Sequence, residues 1–404
     1  MEYFKKLGII EPILESIKEE GFEKPTEIQE KTIPLILEGR DVIAGSATGS
    51  GKTLAFGAGI IQNSEKGKGV QALVLTPTRE LAEQVSGALR TFSKNKPLRI
   101  SAVYGGVPIS TQINNLRTAD VVVGTPGRLL DHIERKTINL SKVNILVLDE
   151  ADRMLDMGFI DDVKRIITRC PRQRQTLLFS ATISREIASL ASKYMSSPVE
   201  IAAKSYVDAK KLTQNYYEVP DNLKFSLLVH LIQKEKKGLA MVFCNTRRSV
   251  DNVAKNLRSS KIDAEGIHGG LTQSRRTSIL KDFHTQDVFT LVCTDVAARG
   301  LDIKGVSHIY NYDIPNDSKE YIHRIGRTAR AGNEGKAINI LAKRDHDNFR
   351  RVMSDNDVKI TRQEMPNIEP IKIAMNEHPR RFPDRRSSAP RSSSSRPARS
   401  RSWR

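Results

Sequence analysis

The stretch "DVIAGSATGSGKTLAFGAGI", residues 41–60, sets a short apolar run, a glycine-rich turn and a helix-forming segment in succession. Strand, loop and helix in that order make a phosphate cradle, because glycines let the backbone wrap an anion and the first helical N–H groups point at it. Gly49 and Gly51 supply the turn, Lys52 reaches toward the β- and γ-phosphates, and Thr53 carries a hydroxyl suited to magnesium. The usual GxxxxGK[ST] spacing is displaced at its first glycine, which stands at Gly45 with Ser46 after it. The match therefore rests on Gly49, Gly51, Lys52 and Thr53, and a chance glycine-rich turn is the competing reading.

Outward from this loop, short apolar runs recur: "ALVLTP" from 72, "VVVGTP" from 121, "ILVLDE" from 145 and "TLLFSA" from 176. Strands apolar at every position are covered on both faces, as in a parallel α/β sheet. "RELAEQVSGAL" and "DDVKRIITRC" between them have helical apolar spacing, so the alternation is βαβ. The texture resumes after about residue 212 with "LAMVFC", "FTLVCTD", "VSHIYNYD" and "AINILA". "LVLTPTRELAEQVSGALR" (73–90) and "MVFCNTRRSVDNVAKNLR" (241–258) superpose at an offset of 168, matching Thr78 with Thr246 and Arg79 with Arg247. Two duplicated α/β domains are expected. The boundaries expected are 1–202 for the first, 203–211 for a linker, 212–362 for the second, and 363–404 for an extension and tail.

Among 404 residues, Lys plus Arg exceed Asp plus Glu by 65 − 47 = 18. So basic a chain points to a polyanion, either nucleic acid or an anionic membrane surface. No apolar run approaches the roughly 18–20 residues that span a bilayer, and "MEYFKKLGIIEPILESI" carries charges unlike a signal peptide. The expectation is a soluble, cytoplasmic chain without a membrane role. Cys170, Cys244 and Cys293 are widely spaced, which argues against zinc or a disulfide framework and suits a reducing compartment. From 376 to 404, nine Arg against Glu377 and Asp384 leave +7 among Ser and Pro. That tail is expected to be disordered, as a solubilising end or a nucleic-acid tether.

Three further stretches carry chemistry. In "ILVLDEAD" (145–152), Asp149 and Glu150 follow an apolar strand, where one acid can hold a magnesium shell and another can orient or deprotonate water. In "GFEKPTEIQ" (21–29), Gln29 reads by itself as an ordinary helix residue, although its amide donor and acceptor also match the N7 and N6 edge of adenine. In "YIHRIGRTARAG" (321–332), Arg324, Arg327 and Arg330 recur every third residue, which on a helix gathers three guanidinium groups near one surface. A solvated face and an anion site both remain open there.

Taken in order, "GFEKPTEIQ", "ATGSGKT", "PTRELA" (77–82), "GG" (105–106), "TPGR" (125–128), "DEAD" (149–152), "SAT" (180–182), "VFCNTR" (242–247), "QSRR" (273–276), "TDVAARGLD" (294–302) and "HRIGRTARAG" (323–332) resemble the motif series of the DEAD-box RNA helicases. The resemblance runs from about Phe4 to Gly332 and implies two tandem RecA-like parallel-sheet domains that clamp ATP and Mg²⁺ between them and single-stranded RNA across both. It implies an ATP-dependent RNA helicase that separates duplexes locally and hydrolyses ATP, acting as a monomer with possible partners in ribonucleoprotein complexes. By the same resemblance Lys52, Asp149, Glu150, Arg327 and Arg330 are catalytic, the last two as arginine fingers. Phe4, Lys24, Gln29, Ser46, Ala47, Thr48, Gly49, Ser50, Gly51, Lys52, Thr53 and Asp302 bind the nucleotide, with Phe4 stacked on adenine and Asp302 at the ribose. Thr53 and Asp149 hold the metal. Asp152, Ser180, Thr182 and His323 couple ATP to RNA, with His323 touching the SAT segment.

The RNA contacts implied are Thr78, Arg79, Gly105, Gly106, Thr125, Gly127 and Arg128 in one domain, with Thr246, Arg247, Arg276 and Thr294 in the other. Aromatic residues make up only 5% of the chain, which favours gripping the backbone over stacking on each base. The chain departs from the family at Ala329, where Gly is common, and at Ser46, where Ala is usual. An ATP-gated RNA clamp with little unwinding and a DNA translocase are the alternative readings.

Overall fold

In the computed structural model, residues 1–45, 50–202, 212–235, 238–298, 303, 305–329, 334–354 and 359–373 are described. The expected linker, the basic tail, Ser46, Ala47, Thr48, Gly49, Asp302 and Arg330 lie outside them. The first lobe holds strands β1 (Val42–Gly45), β2 (Ala72–Leu75), β3 (Ile100–Val103), β4 (Val121–Gly124), β5 (Ile145–Asp149), β6 (Gln175–Ser180) and β7 (Val199–Ala202). The second holds β8 (Leu212–Glu218), β9 (Leu239–Phe243), β10 (Ala264–Ile267), β11 (Thr290–Cys293), β12 (Val306–Asn311), β13 (Gly335–Leu341) and β14 (Thr361–Arg362).

Their spatial orders are β3-β4-β2-β5-β6-β1-β7 and β10-β11-β9-β12-β13-β8-β14, which match position by position. Neighbouring strands pair parallel throughout, for example Val42 with Leu177 and Ala240 with Thr290. The duplication expected from the offset of 168 is thus present as two copies of one sheet topology.

Alternation along each strand sends successive side chains to opposite faces. In the first lobe Val74, Val123 and Val147 join one apolar cluster while Leu73, Val122 and Leu146 join the other. In the second, Val242 and Val292 face one cluster and Met241 and Leu291 the other. Helices cover both faces, which is why these strands read as unbroken apolar runs. Residues 363–373 continue along the second lobe: Met365, Ile368 and Ile371 pack against its core, and the Ile371 N–H donates to Ser226 Oγ at 2.8 Å. Among the described residues, no helix is long and apolar enough to cross a membrane.

The helix that follows β1, Lys52–Asn63, packs closely on helix Glu27–Leu37. A Cβ on Gly59 would stand 2.4 Å from Ile36 Cγ2, and Ile36 is fully buried. The glycine is what lets the two helices approach. Gly59→Val is expected to destabilise the chain by about 1–3 kcal/mol through overpacking, read as a lower midpoint in urea unfolding; an unshifted midpoint would mean that the contact yields.

Candidate nucleotide and nucleic-acid site

Gly51 caps helix Lys52–Asn63 at φ 88°, a left-handed conformation natural to glycine. A Cβ there would meet Gln29 Nε2 at 2.5 Å, so the position is closed to larger residues on steric grounds as well. Gln29 donates from Nε2 to the Gly51 carbonyl at 2.9 Å and accepts the Thr26 N–H at Oε1, 3.0 Å. Thr26 Oγ1 donates to the Ser50 carbonyl at 2.8 Å. The segment "PTEIQ" therefore holds Ser50 and Gly51, just before the helix, in place, a role the sequence reading missed. Its signal was the threonine three residues before the glutamine, the spacing of a capping box. Gln29 keeps a second N–H and a second lone pair for other partners.

Phe4 is corrected by the structure. It is fully buried in the first lobe's core and has no open face for a base. Its neighbour Tyr3 is 53% exposed and carries the Lys24 ammonium 5.6 Å from its ring centroid. The apolar pattern of the first helices draws Phe4 inward and leaves Tyr3 out.

Lys52 Nζ lies 2.7 Å from Asp149 Oδ1 and 3.7 Å from Glu150 Oε1, all three side chains being buried. Burial opposes the ammonium charge, but Asp149 and Glu150 outweigh it and hold the Lys52 pKa above its ordinary value. Burial pushes the Asp149 carboxyl up, against the pull of Lys52 and with the help of Glu150. Asp149 closes β5, and Glu150 turns the chain into helix Ala151–Asp156 at φ 54°, ψ 54°. A non-glycine residue in this region costs about 1–2 kcal/mol, strain of the kind that collects at functional sites.

Asp152 ties this turn to the SAT segment. Its Oδ2 accepts the Thr182 N–H at 3.1 Å and the Thr182 hydroxyl at 3.2 Å, while its own N–H donates to Ser180 Oγ. Ser180 Oγ donates to the Thr182 carbonyl at 2.8 Å. The three residues form one hydrogen-bonded unit.

The arginine series does not share one surface. The helix is Ser318–Ile325, so Arg327 lies beyond its end. Arg324 turns inward instead: it clasps Asp295 bidentately at 2.7 and 2.6 Å and donates to Asn311 Oδ1, Asn245 Oδ1 and the Asp313 carbonyl. Arg327, buried as well, lines a small crevice between the lobes with His323, Glu320, Asp295 and, from the first lobe, Arg153. Ala329, where the family favours glycine, has φ 53° and is strained for the same reason as Glu150.

Most implied RNA-contact residues follow strand ends. Thr78 and Thr246 cap helices Arg79–Phe92 and Arg247–Ser259, and Thr125 caps helix Pro126–Glu134, in which Gly127 is exposed. Thr294 follows β11 and accepts the Ala297 and Ala298 N–H groups. Arg79 lies across Gly105 and Gly106, where a Cβ would meet its guanidinium at 3.3 and 2.1 Å. Arg128 donates to the Val107 carbonyl and to Gln112 Oε1, and Gln112 Nε2 donates to the Tyr104 carbonyl, which joins the glycine loop to the "TPGR" helix. Arg276 is buried against Glu80 of the first lobe at 3.0 Å, so it bridges the lobes. Gln273 donates to the same Glu80, and Lys319 pairs with Asp156 at 2.9 Å.

Comparison with known proteins agrees with this geometry. The DEAD/DEAH box helicase model matches residues 26–190, and the helicase conserved C-terminal domain model matches 223–332. The ATP-dependent RNA helicase CshA of Listeria monocytogenes is 50% identical over 349 residues, covering 85% of this chain and 67% of that protein. The DEAD-box ATP-dependent RNA helicase CshA of Geobacillus kaustophilus is 44% identical over 91% of this chain and 80% of its own length. Among solved structures, S. cerevisiae Dbp5 bound to RNA and ADP BeF3 aligns with a TM-score of 0.82 at 32% identity, covering 90% of this chain and 96% of that one. A DEAD box protein from Methanococcus jannaschii aligns at 0.56 with 43% identity, covering 89% and 99%. With two RecA-like lobes, Lys52 set against its paired acids and relatives of this closeness, the chain belongs to the DEAD/DEAH box helicase family and is an ATP-dependent RNA helicase of the DEAD-box type.

Proposed function

We propose that the chain binds single-stranded RNA across both lobes, separates duplexes locally, and reopens after hydrolysing ATP to ADP and phosphate. The observation that carries this reading is the buried cluster of Lys52 with Asp149 and Glu150 in the first lobe, together with Arg327 of the second lobe in a crevice that it shares with Arg153 of the first. A phosphate between these groups meets the cation of one lobe and the guanidinium of the other, so full charge stabilisation requires closure. The higher TM-score to RNA- and ADP BeF3-bound Dbp5 than to the more identical M. jannaschii protein supports a closed relation of the lobes.

Magnesium suits the donors present. Asp149 Oδ2 and Ser50 Oγ are buried and have no hydrogen-bond partner among the described residues, and such oxygens are the ligands a hard cation takes. Asp149 and Thr53 would hold the ion, which supplies neutralisation of phosphate charge. Glu150 orients the attacking water and takes its proton, while Lys52 holds phosphate oxygens. Asp152, Ser180 and Thr182 carry the state of the acids toward the crevice where His323 stands. Adenine recognition falls to the remaining N–H and lone pair of Gln29. Ser46, Ala47, Thr48, Gly49, Asp302 and Arg330 complete the nucleotide contacts by the family resemblance.

Hydrolysis measured without nucleic acid, with single-stranded RNA and with DNA of the same sequence tests the reading. Stimulation by RNA alone is expected, while ATP-dependent RNA retention without stimulated turnover would favour a clamp. Glu150→Gln is expected to lower RNA-stimulated kcat by roughly 10²–10⁴ with ATP binding retained; unchanged turnover would remove Glu150 from the chemistry. For Arg327→Ala the expected loss in kcat is on the order of 10³–10⁵, with nucleotide affinity within a few-fold, and equal losses in binding and turnover would argue against a finger. Deleting 376–404 should weaken RNA binding and flatten its dependence on salt, because counterion release scales with the phosphates neutralised; an identical slope would exclude the tail from RNA contact.

A further inference from the structure

The lobes repeat more than their strand order. In the first, Thr78 caps the helix, Arg79 lies over Gly105 and Gly106, and Glu83 accepts the hydroxyl of Tyr104, the residue just before that glycine pair. In the second, Thr246 caps the helix and Arg247 lies over a glycine pair that the sequence reading did not single out, Gly269 and Gly270. A Cβ on Gly269 would stand 3.5 Å from Arg247 Nη2, and one on Gly270 would stand 3.6 Å from Arg247 Cδ. Asp251 meets His268, again the residue just before the glycines, with Oδ1 2.9 Å from Nε2.

The Gly270 N–H donates to His268 Nδ1 at 3.0 Å, which leaves Nε2–H as the donor toward Asp251. Glu83 and Asp251 each stand four residues beyond their arginine, so arginine and acid share one helix face a turn apart. Each helix thus touches the loop with two side chains. The arginine covers the glycines and the acid holds the ring that leads into them.

Glycine loops adopt many backbone conformations, and ordering one on binding costs free energy unless the fold has already ordered it. We propose that Glu83–Tyr104 and Asp251–His268 are positioning pairs that hold each glycine loop beneath its arginine, so that loop backbone and guanidinium meet the phosphates of bound single-stranded RNA together. The inference rests on the RNA-binding reading above. It adds Asp251 and His268 as positioning residues and the Gly269–Gly270 loop as a contact of the second lobe. Such pairs act on RNA affinity and leave the bond-breaking step alone.

Three variants of the full chain, Asp251→Ala, Asp251→Asn and Arg247→Ala, test it. The readings are the RNA concentration for half-maximal ATP hydrolysis, kcat at saturating RNA, the KM for ATP and the unfolding midpoint. Asp251→Ala is expected to raise the half-maximal RNA concentration roughly three- to tenfold, the range of one hydrogen bond, with kcat and the KM for ATP within twofold of the parent. Asp251→Asn, whose amide oxygen still accepts from Nε2–H, should return close to the parent value. Arg247→Ala should weaken RNA at least as much as Asp251→Ala. If Arg247→Ala leaves RNA affinity unchanged, the RNA reading of the second lobe fails and takes the inference with it. If Arg247→Ala weakens RNA but Asp251→Ala does not, or if Asp251→Asn behaves like Asp251→Ala, the positioning inference alone falls. A loss in kcat or in the unfolding midpoint that accounts for the Asp251→Ala effect would likewise make the pair merely structural.

Discussion

A parallel sheet sends the carboxyl end of every strand to one edge, and the site depends on that constraint. Thr76, Thr125 and Glu150 follow the ends of β2, β4 and β5, and Ser180 closes β6. Cys244, Thr294 and Tyr312 leave the ends of β9, β11 and β12 in the same way. Backbone groups at this edge have no further strand to pair with, so they are satisfied by caps and turns or offered to a ligand. Thr78 and Thr246, a few residues past β2 and β9, cap the next helix with their hydroxyls while the chain turns. The chemistry is then a matter of which charges the edge brings together.

Those charges are buried, and buried charges persist only when matched. Lys52 sits among Asp149 and Glu150, and Arg324 has partners on every side, including the Phe243 ring 5.1 Å from its Cζ. Lys224 lies 2.5 Å from Asp345 and 3.7 Å from Asp313. Asp313 also accepts the Asn245 N–H and the Ser249 hydroxyl, so it fixes the start of the Arg247 helix. The two kinds of cluster differ in one respect. Around Arg324 the carboxylate and carbonyl oxygens are spoken for, whereas Asp149 keeps an oxygen without a hydrogen bond. The first cluster holds shape, and the second has capacity left for a ligand.

Much of this was legible in the sequence because each signal was local. Apolar runs gave β2, β4, β5 and β6, and an offset of 168 gave the duplication that the paired sheet orders then displayed. Features that depend on what packs where were not legible. Period three in "HRIGRTAR" says nothing of a helix that stops at Ile325, so Arg324 looked like a surface charge and is a core one. Phe4 and Tyr3 are adjacent aromatics, and only the packing of the first helices decides which is buried. Arg276 reads as a free cation until Glu80, far away in the chain, arrives beside it. Ala329 looked like a slight departure from glycine; its φ of 53° makes it a backbone cost on the turn that follows Arg327.

Among the described residues, Lys319–Asp156 and Arg276–Glu80 are polar contacts between the lobes. Lys319–Asp156 is partly exposed, and such a pair contributes about 0–1 kcal/mol. Glu80 with Arg276 is buried, so its attraction is largely offset by desolvation of both groups. Neither pair resembles an apolar interface that would fuse the lobes into one core, and the apolar clusters of the first lobe share no residue with those of the second. Contacts of this kind select one orientation without binding it tightly. The free energy to keep the lobes together must then come in part from whatever bridges them, and the crevice they share carries both signs of charge, Arg153, His323 and Arg327 beside Glu320 and Asp295. On the proposed function that bridge is the nucleotide's terminal phosphate at one edge and the RNA backbone at another. On that same reading, losing the phosphate would remove one of these ties, so that hydrolysis would act as a release step.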